Sequence, residues 1–132
     1  MGPNDAELSR VFTREVGGTI ADISLSLTND FEIVVEAEAG SAMHGGGTAY
    51  LVDVVVRDIT ANNDIPTAPA DYKGNMGDAN WPNQARQFVF TVSSADLAGK
   101  ENNICKVTAY LKAGVADPDV SFAESYPFII TA

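Results

Sequence analysis

The stretch Glu38–Leu51 reads EAGSAMHGGGTAYL. Its His44-Gly45-Gly46-Gly47 string has the form that supplies backbone N–H groups to an oxyanion hole in lipases and esterases. That chemistry also needs a serine on a G-x-S-x-G turn and a histidine to accept its proton. The pattern G-x-S-x-G is absent and His44 is the sole histidine. The string therefore reads as a glycine-rich connection between two strands, where positive φ costs little. A lone histidine in such a loop is expected to be exposed and titrating. To bind zinc, His44 would have to recruit carboxylates such as Asp117 and Asp119. Cys105 is the single cysteine, so it has no intramolecular disulfide partner. Alternation places it on the apolar side of a strand, where a thiol behaves as a small inert hydrophobe rather than a nucleophile.

Carboxylates are plentiful. Glu32, Glu36 and Glu38 alternate with apolar residues and mark the wet side of one strand, while Asp22, Asp30, Asp58, Asp64 and Asp96 flank turns. Asp53 stands apart because it interrupts the most apolar run of the chain. If that side is covered, Asp53 needs a cation such as Arg57, Arg86 or Lys106. Two facing carboxyl groups would be the minimum for a hydrolase of glycosidic type. Calcium is the cation this composition suits best, since it takes several oxygen ligands. The candidate loops are DYKGNMGDAN, Asp71–Asn80, and ADPDV, Ala116–Val120, with Asp71, Asp78, Asp117 and Asp119 as ligands. Neither has EF-hand spacing, and Asp-Asn-Gly clusters are also ordinary turn chemistry, so no cofactor is expected.

These side chains must be carried by strands. A period of two, punctuated by Gly, Asn, Asp and Pro, runs through most of the chain. It predicts strands over Thr19–Thr28, Phe31–Ala39, Thr48–Thr60, Ala85–Val92, Asn103–Ala113 and Val120–Thr131. Pro127 lacks an N–H, so the last must be an edge strand or break there. Ser93–Gly99 carries a capping serine and a terminating glycine, enough for about one helical turn. Residues 61–84 are the least regular, with a short strand expected near Ala70–Lys73 or a functional loop. Residues 1–18 are expected to be partly flexible or a first strand, and residues 19–132 a single domain. The sum is an all-β, antiparallel sandwich of about seven strands.

The segment FTVSSADLAGKENNICKVTAYLKAG, Phe90–Gly114, resembles the strand E, turn and strand F of bacterial immunoglobulin-like modules. Over Thr19–Thr131 the order of elements is similar to the immunoglobulin-like and fibronectin type III-like sandwich. The antibody-type cysteine pair and strand-C tryptophan are missing, so the resemblance is one of architecture. It implies that loops Gly40–Gly47, Gly77–Gln84 and Gly114–Asp119 gather at one end with Met43, His44, Asn80, Trp81, Asp117 and Asp119. Trp81, the sole tryptophan, either projects there as a recognition group or plugs the end of the core.

Eighteen acidic against eight dispersed basic residues give a net charge of −10, which repels nucleic acid and anionic lipid. No apolar run approaches the ~18 residues of a membrane span. With no signal-like segment and no disulfide, a cytoplasmic placement is expected, or a surface or secreted one if a leader precedes this sequence. The expected function is a non-enzymatic binding or assembly module for a protein partner, or for self-association. The alternatives are a calcium-dependent or carbohydrate-binding module using Trp81, and a carboxylate hydrolase.

Overall fold

The structure is a computed structural model and describes residues 2–132. Ten strands form two sheets: β1 (Ala6–Glu15), β2 (Ser24–Ser26), β3 (Phe31–Ala39), β4 (Ala49–Asp58), β5 (Asn63–Ile65), β6 (Asp71–Asn75), β7 (Ala85–Val92), β8 (Ile104–Ala113), β9 (Asp119–Glu124) and β10 (Phe128–Thr131). A short helix, α1 (Ser41–Gly45), joins β3 to β4, and a 3-10 turn (Ser94–Leu97) joins β7 to β8. One sheet has the order β1-β3-β7. The other runs β2-β10-β8-β4-β5, with β6 pairing β4 and β9 pairing β8 beyond that path. Every pairing is antiparallel except β2 with β10. The architecture is an all-β sandwich.

Alternation explains the main strands. In β3 the side chains of Phe31, Ile33, Val35, Ala37 and Ala39 are buried between the sheets, while Glu38 on the other face is exposed. Val34 departs from this pattern and is buried on the outward face, where Phe12 and Val89 stand beside it in register. In β4, Tyr50, Val52, Val54 and Val56 point inward, and in β8 Cys105, Val107, Ala109, Leu111 and Ala113 do the same. The core they build is completed by Phe88, Phe90, Phe128, Ile130 and Leu97. Leu97 is buried by the 3-10 turn, whose Ser93 hydroxyl accepts from Ala95 N–H as an N-cap.

Thr19–Thr28 and residues 61–84 differ from the sequence expectation, and Val120–Thr131 breaks where the missing N–H of Pro127 allows. Thr19–Thr28 is strand only at Ser24–Ser26, because Asp22 is held to β1 through Asp22 N–H to Thr13 O and Thr13 Oγ1 to Asp22 O. Ile20 and Ile23 are exposed there, and Leu25 alone reaches the core centre. Residues 61–84 contain two short strands, β5 and β6, which brings the total above the expected seven. Val120–Thr131 breaks at Pro127: β9 and β10 are successive partners of β8, separated where Ser125 N–H bonds Val107 O and Val107 N–H bonds Ser125 Oγ. No helix among the described residues is long and apolar enough to cross a membrane.

Candidate functional site

The loops Gly40–Gly47, 76–84 and 114–119 lie at one end of the sandwich, where β3 and β8 finish and β4 and β7 begin. Side chains of the first two loops hold that end together. Trp81 is fully buried, so it plugs the core rather than projecting. Its indole sits edge-on to Tyr50 (centroids 5.0 Å) and Phe88 (5.3 Å), and its Nε1–H donates to Gln84 O at 3.1 Å. His44 is half-buried on α1, not free in a loop, with Nε2 2.9 Å from Trp81 O. Within the HGGG string only Gly47 has positive φ, +66°; Gly45 is helical and Gly46 caps α1 in the right-handed region.

Asp78 anchors the second loop. Its carboxylate accepts from the Tyr50 hydroxyl at 3.0 Å and from Asn80 N–H and Trp81 N–H, both at 2.9 Å. Burial acts to raise its pKa, and these donors outweigh that and hold it below the ordinary range. Burial, then the Asp78 contact, pushes Tyr50 up to about 12. Gly74 is required opposite: a Cβ there would strike the Asp78 carboxylate. Asn80 is exposed, and its carbonyl accepts from Arg86 Nε at 2.7 Å. The side chains of Asp117 and Asp119 make no hydrogen bond or ion pair among the described residues, and neither is bonded to His44. Asp71 lies away from this end, at the start of β6. Among the described residues no group of three or more His, Cys, Asp or Glu is placed to hold a metal ion.

The charged residue that turns out to be buried is Asp58, which the sequence places at a turn. It is fully enclosed and accepts from Lys100 Nζ (2.8 Å), Asn103 Nδ2 (2.9 Å) and Ala61 N–H (3.0 Å). Burial raises its pKa, but the Lys100 ammonium and the two amide donors prevail and lower it. Asp53, the residue expected to need a cation, has none: it is half-buried on the outer face of β4, and its Oδ1 accepts Val54 N–H at 2.8 Å. Cys105 is fully buried, and desolvation, helped by the Asp58 charge, pushes its thiol up to about 11.

A different surface carries the unused groups. The outer face of the larger sheet is formed by Leu51, Asp53, Val55 and Arg57 of β4, Lys106, Thr108, Tyr110 and Lys112 of β8, and Val120, Phe122 and Glu124 of β9. Register aligns Asp71, Asp53, Tyr110 and Phe122 in one row across β6, β4, β8 and β9. Lys73, Leu51, Lys112 and Val120 form the next row. Tyr110 and Phe122 pack edge to face with centroids 5.3 Å apart, yet Phe122 remains 63% and Tyr110 37% exposed. Arg57–Asp64 (2.9 Å) and Lys106–Glu124 (2.6 Å) ion pairs lie along one margin. Around the sandwich edge from this face, a cleft of about 460 Å³ opens between β1 and β9. Its walls include Val11, Phe12, Asp22, Ile23, Glu124 and Tyr126. Sequence patterning shows that Tyr110 faces outward; it does not show that Phe122 is its neighbour, because that depends on the β8–β9 register.

No family profile matches the chain, and no curated protein matches it in sequence. Solved structures are similar in shape. The C-terminal domain of Wzt superposes with a TM-score of 0.57 at 10% identity, over 100% of this chain and 77% of that one. AggA, the major subunit of aggregative adherence fimbriae type I from Escherichia coli, superposes with a TM-score of 0.53 at 7% identity, over 97% of both chains. At these identities the likeness is one of fold.

Proposed function

We propose that this protein is a non-enzymatic binding module that recognises a protein partner through the outer face of its larger sheet, centred on Tyr110 and Phe122. The observation that carries the reading is a solvent-exposed pair of aromatic rings packed edge to face on the outer face of a sheet. Burying such rings against a partner removes apolar area from water, at roughly 25 cal/mol per Å². The layout, with the rings and Val120 along the β9 side of the face and charged groups and ion pairs flanking them on β4 and β8, provides an aromatic anchor beside polar groups. The loop end supports recognition less well, since Trp81, His44 and Asp78 are already engaged there. Fimbrial subunits are built to contact other protein chains, and AggA shares the fold along its whole length.

A carbohydrate ligand is the second reading, and it has its own observation. Asp53 and Asp71 stand directly opposite one another across β4 and β6, an arrangement of like charges that costs stability. Hydroxyl donors beside the Tyr110 ring would relieve that repulsion. The 80° angle between the rings leaves no common plane for a sugar chain to stack on and favours a protein surface. The non-enzymatic part of the proposal is supported by the commitments of the cleft carboxylates: Asp22 Oδ1 accepts Ser24 N–H, and Glu124 pairs with Lys106.

The test is selection of binders from a displayed proteome library, with a polysaccharide panel run beside it. The expected outcome is a protein binder that loses at least tenfold in affinity with Phe122→Ser or Tyr110→Ser and none with Ser41→Ala at the loop end, since truncating one aromatic hot spot costs about 2 kcal/mol or more. Binders indifferent to both rings would overturn the choice of face. Binding to a polysaccharide alone would replace the partner class.

A further inference from the structure

We infer that the protein recognised by this face is a second copy of the same chain, joined edge to edge along β9 about a two-fold axis with Phe122 opposite Phe122. The inference rests on the face proposed above and adds main-chain hydrogen bonds to it.

The direction of the β9 backbone follows from one bond. Ser125 N–H donates to Val107 O at 2.9 Å, and the same register pairs Ala123 with Ala109 and Ser121 with Leu111. In an antiparallel ladder alternate residues turn their N–H and C=O toward the partner. The odd-numbered residues of β9 therefore bond β8, and Val120, Phe122 and Glu124 turn theirs outward. Among the described residues β9 has no second strand partner. Strand β1 lies against β8 and β9 from the other sheet, with Leu8 N–H on the Ser121 hydroxyl at 3.0 Å, and it does not pair along the outer edge of β9.

The other strand edges are guarded. On β1, Leu8 N–H is taken by Ser121 and Thr13 O by Asp22 N–H. On β7, Thr91 exchanges two bonds with Ala68, of 2.8 and 2.9 Å. Strands β5 and β6 are short and carry Asp64, Asp71 and Lys73. Strand β2 has three residues. The centre of β9, Val120-Ser121-Phe122-Ala123, has no charge, proline or glycine, and these are the usual devices against edge pairing.

The strand is also complementary to itself. A two-fold axis at Phe122 makes the outward main chains of Phe122 and Phe122 a bonded pair, with Val120 opposite Glu124 of the second copy. The row Asp53–Tyr110–Phe122 then continues into Phe122–Tyr110–Asp53, giving four rings in sequence across the joined sheet. Cross-strand aromatic pairs are among the more favourable sheet contacts. The neighbouring row brings Lys112, next to Val120, toward Glu124 of the second copy.

Electrostatics supplies a sign. Each copy carries −10, so self-association must work against repulsion and strengthen as salt screens it. A basic foreign partner would show the opposite dependence.

Sedimentation velocity of the wild-type chain between about 10 μM and 1 mM, in ~0.15 M salt, tests this. The expected result is a concentration-dependent rise from 13.9 kDa toward twice that mass, weaker at about 0.01 M salt. Val120→Pro removes only an outward N–H, and proline is tolerated at such edge positions. It is expected to raise the dissociation constant at least ~10-fold, about 1.4 kcal/mol. Circular dichroism checks that the variant is folded. Should it fail to fold, amide exchange in the wild type takes its place: Val120, Phe122 and Glu124 are expected to exchange slowly at high concentration and fast at low. A wild-type chain that stays monomeric, a dimer untouched by Val120→Pro, or exchange at these amides that ignores concentration overturns the inference. A foreign binder that needs Phe122 and accepts Val120→Pro would still uphold the face.

Discussion

Asp58 is buried with no solvent to share its charge, and three donors converge on it: Ala61 from its own turn, and Lys100 and Asn103 from the loop that precedes β8. Asp58→Ala would leave the Lys100 ammonium, itself 15% exposed, without its counter-charge. Breaking such a pair costs about 3–5 kcal/mol, which urea unfolding would register as a fall in midpoint at unchanged slope. The pH dependence has a definite sign. The carboxyls of Asp58 and Asp78 are held below their unfolded value of about 3.9, so their contribution is complete above that pH and is lost as pH falls through the lower folded values. Acid unfolding should therefore begin below about pH 4, and should begin at higher pH in Asp78→Asn than in the native chain if the native Asp78 carboxylate contributes as described. Tyr50 and Cys105 act in the other direction. Their folded values, about 12 and about 11, are raised, so the stability they confer is full below the unfolded values and is lost as pH climbs toward the folded ones. With its sulfur buried, Cys105 is expected to resist Ellman's reagent until the chain is unfolded; rapid labelling of native protein would contradict the burial. Trp81, the sole tryptophan, should likewise resist quenching by acrylamide, and Trp81→Ala should cost about 3–5 kcal/mol through the cavity it leaves.

At the level of elements, alternation was a sufficient guide wherever a strand has one wet and one dry side. Strands β3, β4, β7 and β8 begin and end within about two residues of where the period of two starts and stops. It misled at Thr19–Thr28, where Ile23, Leu25 and Leu27 alternate as in a strand but Asp22 is tied back to Thr13. The two backbone-directed hydrogen bonds hold Asp22 on β1 and leave Ile23 in water, while Leu25 and Leu27 still reach the core. The same limit applies to β6. The short strand expected near Ala70–Lys73 extends to Asn75 through Gly74, the residue that makes room for the Asp78 carboxylate opposite Tyr50. Gly74→Ala is expected to lower the melting temperature and to weaken the Tyr50–Asp78 contact. Tyrosinate absorbance would then rise at lower pH than in the native chain, and an unchanged titration would show that the loop yields without strain.

For the whole molecule, a charge of −10 makes self-repulsion a term in its stability, so moderate salt should raise the melting temperature. Millimolar calcium beyond that salt effect is expected to add nothing, since Asp78 is occupied and Asp71, Asp117 and Asp119 do not converge; a specific rise would show a site formed by movement of the loops. What the sequence determined alone is what depends on neighbours along the chain: strands β3, β4, β7 and β8, the short helical turn with its Ser93 cap, the break at Pro127 and the two-layer sandwich that alternating faces require. The tertiary structure decided what depends on which strands meet. Trp81 faces inward because Tyr50 and Phe88 surround it; Asp58 is buried because Lys100 reaches it; and Tyr110 and Phe122 become one exposed surface through the register of β8 with β9. Contacts between residues distant in sequence leave no periodic trace, so the binding face had to be read from the fold.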